Sequence, residues 1–287
     1  MDYLSKELVK KYLEFHTSLS KDSLKYYKAG LNAFMKYFPD ENKSWENLTV
    51  EDAIFFYRSY NVSKNTKIRR LNDVNRFYNW AMKQKYLVEN PIETFVTTLR
   101  PEKKERAYLT EKQFKILLSN VKDFNYYTYT LFLLKTGVRI SEFVNLKVKQ
   151  VDFENGIIFI HAGKGAKDRY VFMDVELASR LEYYLEMRIL TNLSCNNFFV
   201  NKHGRKLAED QITKYTDYLN EVMDGSISFR ITPHILRHTF ATAMLEKGMD
   251  LKSLSLILGH EDIKTTSQYL HKNKEALQKE YLKAMAR

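Results

Sequence analysis

The stretch ITPHILRHTFAT, residues 231–242, places two histidines and an arginine within five residues of a helix-opening Thr-Pro pair. Two chemistries fit these types at this spacing. His234 and His238 lie one helical turn apart and suit a metal; His234 and Arg237 lie three apart, share a face and suit a phosphate. The metal reading needs more than the sequence offers. The HExxH pattern of helical zinc sites requires glutamate at position 235, where Ile235 stands, and no third ligand is evident nearby. We therefore expect no metal, a phosphate pair in His234 and Arg237, and a packed His238.

Three further stretches carry compatible chemistry. In TGVRISE, residues 136–142, Gly137 ends one helix and Arg139 opens the next; backbone N–H groups at a helix start favour an anion, and arginine adds a bidentate fork. In HAGKGAKDR, residues 161–169, Gly163 and Gly165 bracket Lys164 at a hairpin tip that can reach a neighbouring groove. The GxxxxGK[ST] phosphate loop is absent, so nucleotide hydrolysis is not indicated. In LILGHEDIKTTSQYLH, residues 256–271, Gly259 ends an apolar helix, His260 follows, and Thr265 and Thr266 can start a helix carrying Tyr269. Taken singly, each has a bland alternative: a surface arginine, a solvated turn lysine, a packed tyrosine.

The elements that must position these residues fall into two parts. Segments 5–19, 22–38, 49–60 and 65–87 space apolar residues three and four apart and read as helices. Asp22-Ser23 and Thr49 are candidate N-caps, and Glu51 and Asp52 suit a first turn. Pro91 stops the last helix at Asn90. The domain reading is thus a helical part over 1–94, a charged linker over 95–106 and a mixed part over 107–287. In the mixed part, 109–121, 126–135 and 140–147 read as helices, and GIIFIHAGKGAKDRYVFM as a β-hairpin with strands near 157–161 and 168–173. The fold class is mainly α with a small β-hairpin or sheet, α+β.

Composition narrows the partners. The 287 residues carry 46 Lys+Arg against 35 Asp+Glu, a net charge of +11, which favours a polyanion. Within 65–83, Leu71, Val74, Tyr78, Ala81 and Met82 form one stripe, and Asn65, Arg69, Asn72 and Arg76 the opposite one. Asparagine and arginine read adenine and guanine in a major groove, so this face is expected on DNA, with Lys67 and Arg70 on phosphates. No apolar run reaches the roughly 18 residues of a membrane helix, and MDYLSKELVKKY has no signal-peptide core. The single Cys195 forms neither an intrachain disulfide nor a thiolate zinc site, which suits a reducing cytoplasm.

The ordered set Arg139, Lys164, HILR, LGH and Tyr269 resembles the tyrosine recombinase (integrase) family, and SLKYYKAGLNAF with NTKIRRLNDVNRFYNWAMKQKYLVENP resembles that family's helical core-binding, SAM-like domain. The two-part layout, with no expected arm-binding domain, is most similar to the Xer branch. The resemblance implies a C-shaped clamp on double-stranded DNA and strand cleavage through a 3′-phosphotyrosine with a free 5′-hydroxyl. Tyr269 would be the nucleophile, Lys164 the general acid, and His234 an acid/base near the tyrosine. Arg139 and Arg237 would grip nonbridging oxygens, and His260 would hydrogen-bond the phosphate. Glu142 and Asp168 are candidates to orient these groups. No ATP is required, because the phosphotyrosine stores the bond energy. The family also implies a homotetramer on two DNA sites. Its last helix, here 273–287 with Leu277, Tyr281 and Met285 on one face, would dock on a neighbouring subunit. The role implied is resolution of chromosome dimers at a dif-type site. An integrase or resolvase of a mobile element, a type IB topoisomerase and a non-catalytic DNA-binding regulator are the alternatives.

Overall fold

The computed structural model describes residues 3–17, 21–38, 43–102, 107–161, 168–189, 195–259 and 274–286. The chain forms two compact units, Met1–Lys104 and Glu105–Arg287.

The first unit is helical: α1 (Tyr3–Phe15), α2 (Lys21–Lys36), α3 (Val50–Ser59), α4 (Lys64–Lys83) and α5 (Glu93–Thr98). Thr49 caps α3 through a reciprocal box. Its hydroxyl accepts from the Asp52 N–H, and the Asp52 carboxylate accepts from the Thr49 N–H at 2.9 Å. Ser63 caps α4. Asp22 and Ser23, read as caps, lie inside the first turn of α2. α2 and α4 approach closely because residue 30 is glycine; a Cβ there would stand 2.5 Å from an Asp73 carboxylate oxygen and 2.8 Å from the Asp73 Cβ. The core behind them is aromatic, with Phe34, Phe56, Phe77 and Tyr78 fully buried and the Tyr78 hydroxyl donating to the Trp45 carbonyl at 2.8 Å. The expected linker starts too early. Residues 95–98 are the end of α5, which buries Val96 against this core, and a six-residue helix is too short to show periodicity. Met82, placed in the buried stripe of α4, is 38% exposed.

The second unit comprises α6 (Glu111–Asn120), α7 (Phe124–Thr136), α8 (Ile140–Asn145), a three-stranded sheet, α9 (Val175–Ile189), α10 (Glu209–Val222), α11 (Pro233–Glu246), α12 (Leu251–Leu258) and α13 (Lys274–Met285). The sheet is β1 (Val151–Asp152), β2 (Ile157–Ile160) and β3 (Arg169–Phe172) in that order, antiparallel, with Ile157 opposite Phe172 and Ile160 opposite Arg169. The hairpin was legible; the two-residue β1 was not. α7 is buried from Thr128 to Thr136, as expected of a helix apolar all round, and α11 packs along it. Even Lys135 is buried there, its ammonium paired with Asp174 and Glu176. Among the described residues, no helix is long and apolar enough to cross a membrane.

In the single chain the stripe of α13 packs on its own unit. Tyr281 is fully buried and donates its hydroxyl to the Lys135 carbonyl at 3.0 Å, while Leu277 and Met285 pack at the edge of the same core. Gln278 donates to the Asn155 carbonyl at 2.7 Å, and Glu280 accepts from the Asp250 N–H at 2.7 Å. Burying an aromatic outweighs leaving it on the surface until a partner arrives. Tyr281→Ala is therefore expected to cost about 3–5 kcal/mol of stability, measured by urea unfolding of the whole chain. Truncation after Lys272 should then impair single-site DNA binding as strongly as any assembly step. Loss confined to assembly would argue against docking within the chain.

Candidate functional site

Two left-handed glycines bring distant arginines together. α7 ends at Gly137, with φ +61°, where a Cβ would stand 2.3 Å from Phe240 Cδ1 of α11. Only glycine permits both that conformation and that contact. α12 ends the same way at Gly259, φ +66°, where a Cβ would stand 2.9 Å from the Arg169 Cδ. Thr232 caps α11, with Pro233 at its first position, fixing the helix that carries His234 and Arg237.

Arg139 is the N-cap residue of α8. Its N–H donates to Glu142 Oε2 at 2.7 Å, its Nη1 to Glu142 Oε1 at 3.0 Å, and its Nη2 to the Gly259 carbonyl at 3.0 Å. The side chain is still 38% exposed. Arg237 is buried, with Nη1 donating to the Gly137 carbonyl at 2.6 Å and Nη2 to the Leu258 carbonyl at 2.7 Å. Burial first, and then the charges of Arg139 and Arg169, push its guanidinium down to about 10, while Glu142 pulls the other way. It stays charged at neutral pH.

A third guanidinium completes the cluster, and sequence reasoning missed it. Arg169 is 2% exposed and grips Glu142 with both nitrogens, Nη1 to Oε1 at 2.7 Å and Nη2 to Oε2 at 2.8 Å. Its Nε donates to the Ile257 carbonyl at 2.6 Å. The last carbonyls of α12 and its cap thus each hold a different arginine, at the end of a helix where carbonyls lack partners and the dipole is negative. Strand alternation was the available signal: Arg169 shares an inward face with Val171. Asp168, one position earlier, turns outward and is exposed. Its Oδ2 lies 3.2 Å from His161 Nδ1, with both side chains half-exposed or more.

Glu142 holds the charges apart and together. Burial raises its carboxyl, but the hydrogen bonds and charge of Arg169 and the N–H and side chain of Arg139 outweigh this and leave it below its ordinary 4.5. His234 is exposed on the first turn of α11 and borders, with Arg237, a pocket also lined by His238 and the apolar Leu251 and Leu254. The His238 ring meets Tyr108 edge-on, centroids 6.0 Å apart. No group of three metal-ligating side chains occurs among the described residues. Lys164, His260 and Tyr269 lie outside the described residues.

On α4 the expected reading face is partly engaged within its own unit. Asn65 uses both ends of its amide on Glu102, donating to the carbonyl at 3.0 Å and accepting from the N–H at 2.8 Å. Asn72 donates to the Ile68 carbonyl at 2.9 Å. The Asn65 amide is thus used at both ends and the Asn72 amide at its nitrogen. Lys67, Arg69 and Arg76 lie over the rings of Tyr57, Tyr26 and Tyr27, at 5.8, 5.7 and 5.6 Å. Arg76 also pairs at 3.4 Å with buried Asp73. Burial raises the Asp73 carboxyl despite the charges of Arg76, Arg69 and Arg70.

Two buried guanidiniums beside a partly exposed one, with a histidine bordering the same pocket as Arg237, form a cationic cluster whose chemistry suits a phosphate. Residues 107–276 match the phage integrase family, and residues 8–85 match the phage integrase N-terminal SAM-like domain. The chain belongs to the phage integrase family, the tyrosine recombinases, which cut and rejoin DNA through a tyrosine intermediate. Its relatives at about 30% identity are Xer recombinases. It is 31% identical to the tyrosine recombinase XerC of Lactobacillus delbrueckii subsp. bulgaricus, covering 94% of this chain and 95% of that one. It is 30% identical to XerC of Staphylococcus aureus, covering 96% and 94%. Among solved structures it resembles XerA recombinase, 30% identical with a TM-score of 0.51 over 98% and 99% of the two chains. It also resembles the Tn1549 transposon integrase in complex with transposon right end DNA, 20% identical with a TM-score of 0.76 over 98% and 99%.

The ion cluster makes a pH prediction. The folded Glu142 carboxyl titrates below its unfolded value, so its contribution is complete above the ordinary 4.5 and is lost as pH falls through the lower folded value. Glu142→Gln is expected to flatten that acid limb in a plot of urea midpoint against pH. An unchanged limb would mean Glu142 does not carry it.

Proposed function

We propose that this protein is a site-specific recombinase that cuts and rejoins duplex DNA through Tyr269, acting in the cytoplasm on the chromosome to resolve chromosome dimers at a dif-type site. The observation that carries the chemistry is the guanidinium cluster: Arg139 is held at two points yet remains open on one side, with Arg237 fixed behind it. The full-length similarity to Xer recombinases supports the chromosomal role.

The Tyr269 oxygen attacks the scissile phosphorus, a P–O bond forms to tyrosine, and the bond to the 5′-oxygen breaks. His234 accepts the tyrosine proton, and Lys164 delivers a proton to the leaving 5′-oxygen. The products are a 3′-phosphotyrosine and a 5′-hydroxyl; attack by a second strand's 5′-hydroxyl reverses the step. Arg139 and Arg237 balance the charge that grows on the nonbridging oxygens, and His260 hydrogen-bonds one of them. The bond energy is conserved in the phosphotyrosine, so the balance needs neither ATP nor a metal. Four subunits on two sites would complete the exchange. Docking α13 on a neighbour would require it to leave the face that holds Tyr281. Lys67, Arg69, Arg70 and Arg76 on α4 supply the DNA grip, with Arg76 also steadying Asp73.

The test uses sheared DNA from the source genome, incubated with the protein and with Tyr269→Phe, followed by sequencing of covalently attached ends. Adducts that require Tyr269 and collect at one short, roughly palindromic chromosomal locus are expected. A locus beside a mobile element would point to an integrase of that element, scattered adducts to a topoisomerase, and absence of adducts to a binding protein. On the recovered site, Arg139→Ala should slow single-turnover cleavage about 10²–10³-fold. Arg69→Ala and Arg76→Ala should weaken binding to that site, measured by titration; unchanged affinity and sequence preference would remove α4 from the DNA interface.

A further inference from the structure

Arg169 is the most buried charge in the cluster, and the reaction as written does not use it. Its side chain is 3% exposed and, unlike that of Arg237, does not line the pocket beside His234, whereas Arg139 is 38% exposed and can meet a phosphate. Its contacts nonetheless converge on the two anchors of Arg139. The first anchor is Glu142: each carboxylate oxygen accepts one bond from Arg169 and one from Arg139. The second is Gly259, whose carbonyl holds Arg139 Nη2 and whose missing Cβ leaves room for the Arg169 stem. The Arg169 Nε bond to the Ile257 carbonyl fixes that same helix end two residues upstream.

Resting on the recombinase reading above, we propose that Arg169 is a positioning residue for strand cleavage, setting the guanidinium of Arg139 through Glu142 and the end of α12 without touching DNA. A carboxylate bound by Arg139 alone would be free to rotate with it and to neutralise it. Bound in a fork by Arg169, it keeps a fixed orientation, and the two cations over one anion leave positive charge for the phosphate. A lysine cannot replace this, since a point charge offers neither the fork nor the third bond to Ile257.

The experiment is a double-mutant cycle on single-turnover cleavage of the recovered site, in the full chain, with Arg169→Lys, Arg139→Ala and their combination. DNA affinity and thermal midpoint are measured for each. Arg169→Lys is expected to bind the site as wild type does and to cleave about 10²-fold more slowly, the loss typical of a misplaced group. Added to Arg139→Ala it should slow cleavage no further, because the two act through one guanidinium. Multiplicative losses, or a loss seen only in affinity and thermal midpoint, would overturn the inference and leave Arg169 a folding residue. Should Arg169→Lys not fold, Arg169→Met with Glu142→Gln removes the buried ion and its partner together and takes its place in the same cycle. A wild type that forms no Tyr269-dependent adduct overturns the recombinase reading and this inference with it. A cleaving wild type with multiplicative losses overturns this inference alone.

Discussion

Three guanidiniums in one partly buried cluster repel one another, and the catalytic unit exists in its observed form because Glu142 and the end of α12 offset that repulsion. Burying Arg169 or Arg237 alone would carry a desolvation penalty on the order of several kcal/mol. One carboxylate answers two of the three guanidiniums directly, and three successive carbonyls at a helix terminus answer all three. The downward push on Arg237 and on the Glu142 carboxyl are two signs of the same arrangement: cations crowd each other, and the anion among them is held ionised.

This arrangement dictates features of the fold that look unrelated. α7 and α12 must both stop abruptly with a carbonyl facing inward, and both do so through a left-handed glycine. The N-cap of α8, Arg139, stands two residues after Gly137, so the helix's capping glutamate is the same residue that serves the arginines. β3 begins with an arginine instead of an aliphatic residue because its first inward position opens onto the cluster. The burial of Lys135 in α7, two residues before Gly137, and the hydroxyl of Tyr281 on the Lys135 carbonyl tie the last helix to this scaffold.

The helical unit solves a different problem with the same residue types. Its arginines on α4 are steadied by tyrosine faces and by a buried aspartate that only Gly30 makes room for. Stacked guanidiniums lose little freedom on meeting a phosphate, which suits a surface that grips a polyanion. Two of the asparagines there bond to backbone within the same unit, which leaves the cationic row as the more available part of that face.

Local physics made much of the protein legible in the sequence. Apolar spacing gave the helices, Thr49 and Thr232 their starts, Gly137 and Gly259 their ends, and alternation gave the hairpin. The types and order of Arg139, Lys164, His234, Arg237, His260 and Tyr269 were enough to indicate phosphate chemistry and a family. What tertiary structure alone decided involves residues far apart in the chain or elements too short to be periodic. Arg237 meets a carbonyl 100 residues away and Arg169 one 88 residues away, and no window of sequence contains both partners. α5 and β1 exist because the core covers them. The stripe of α13 was visible as apolar, but a stripe states only that something buries it. That Tyr281 is buried by its own chain is a matter of which apolar surface lies within reach, and only the folded unit settles that.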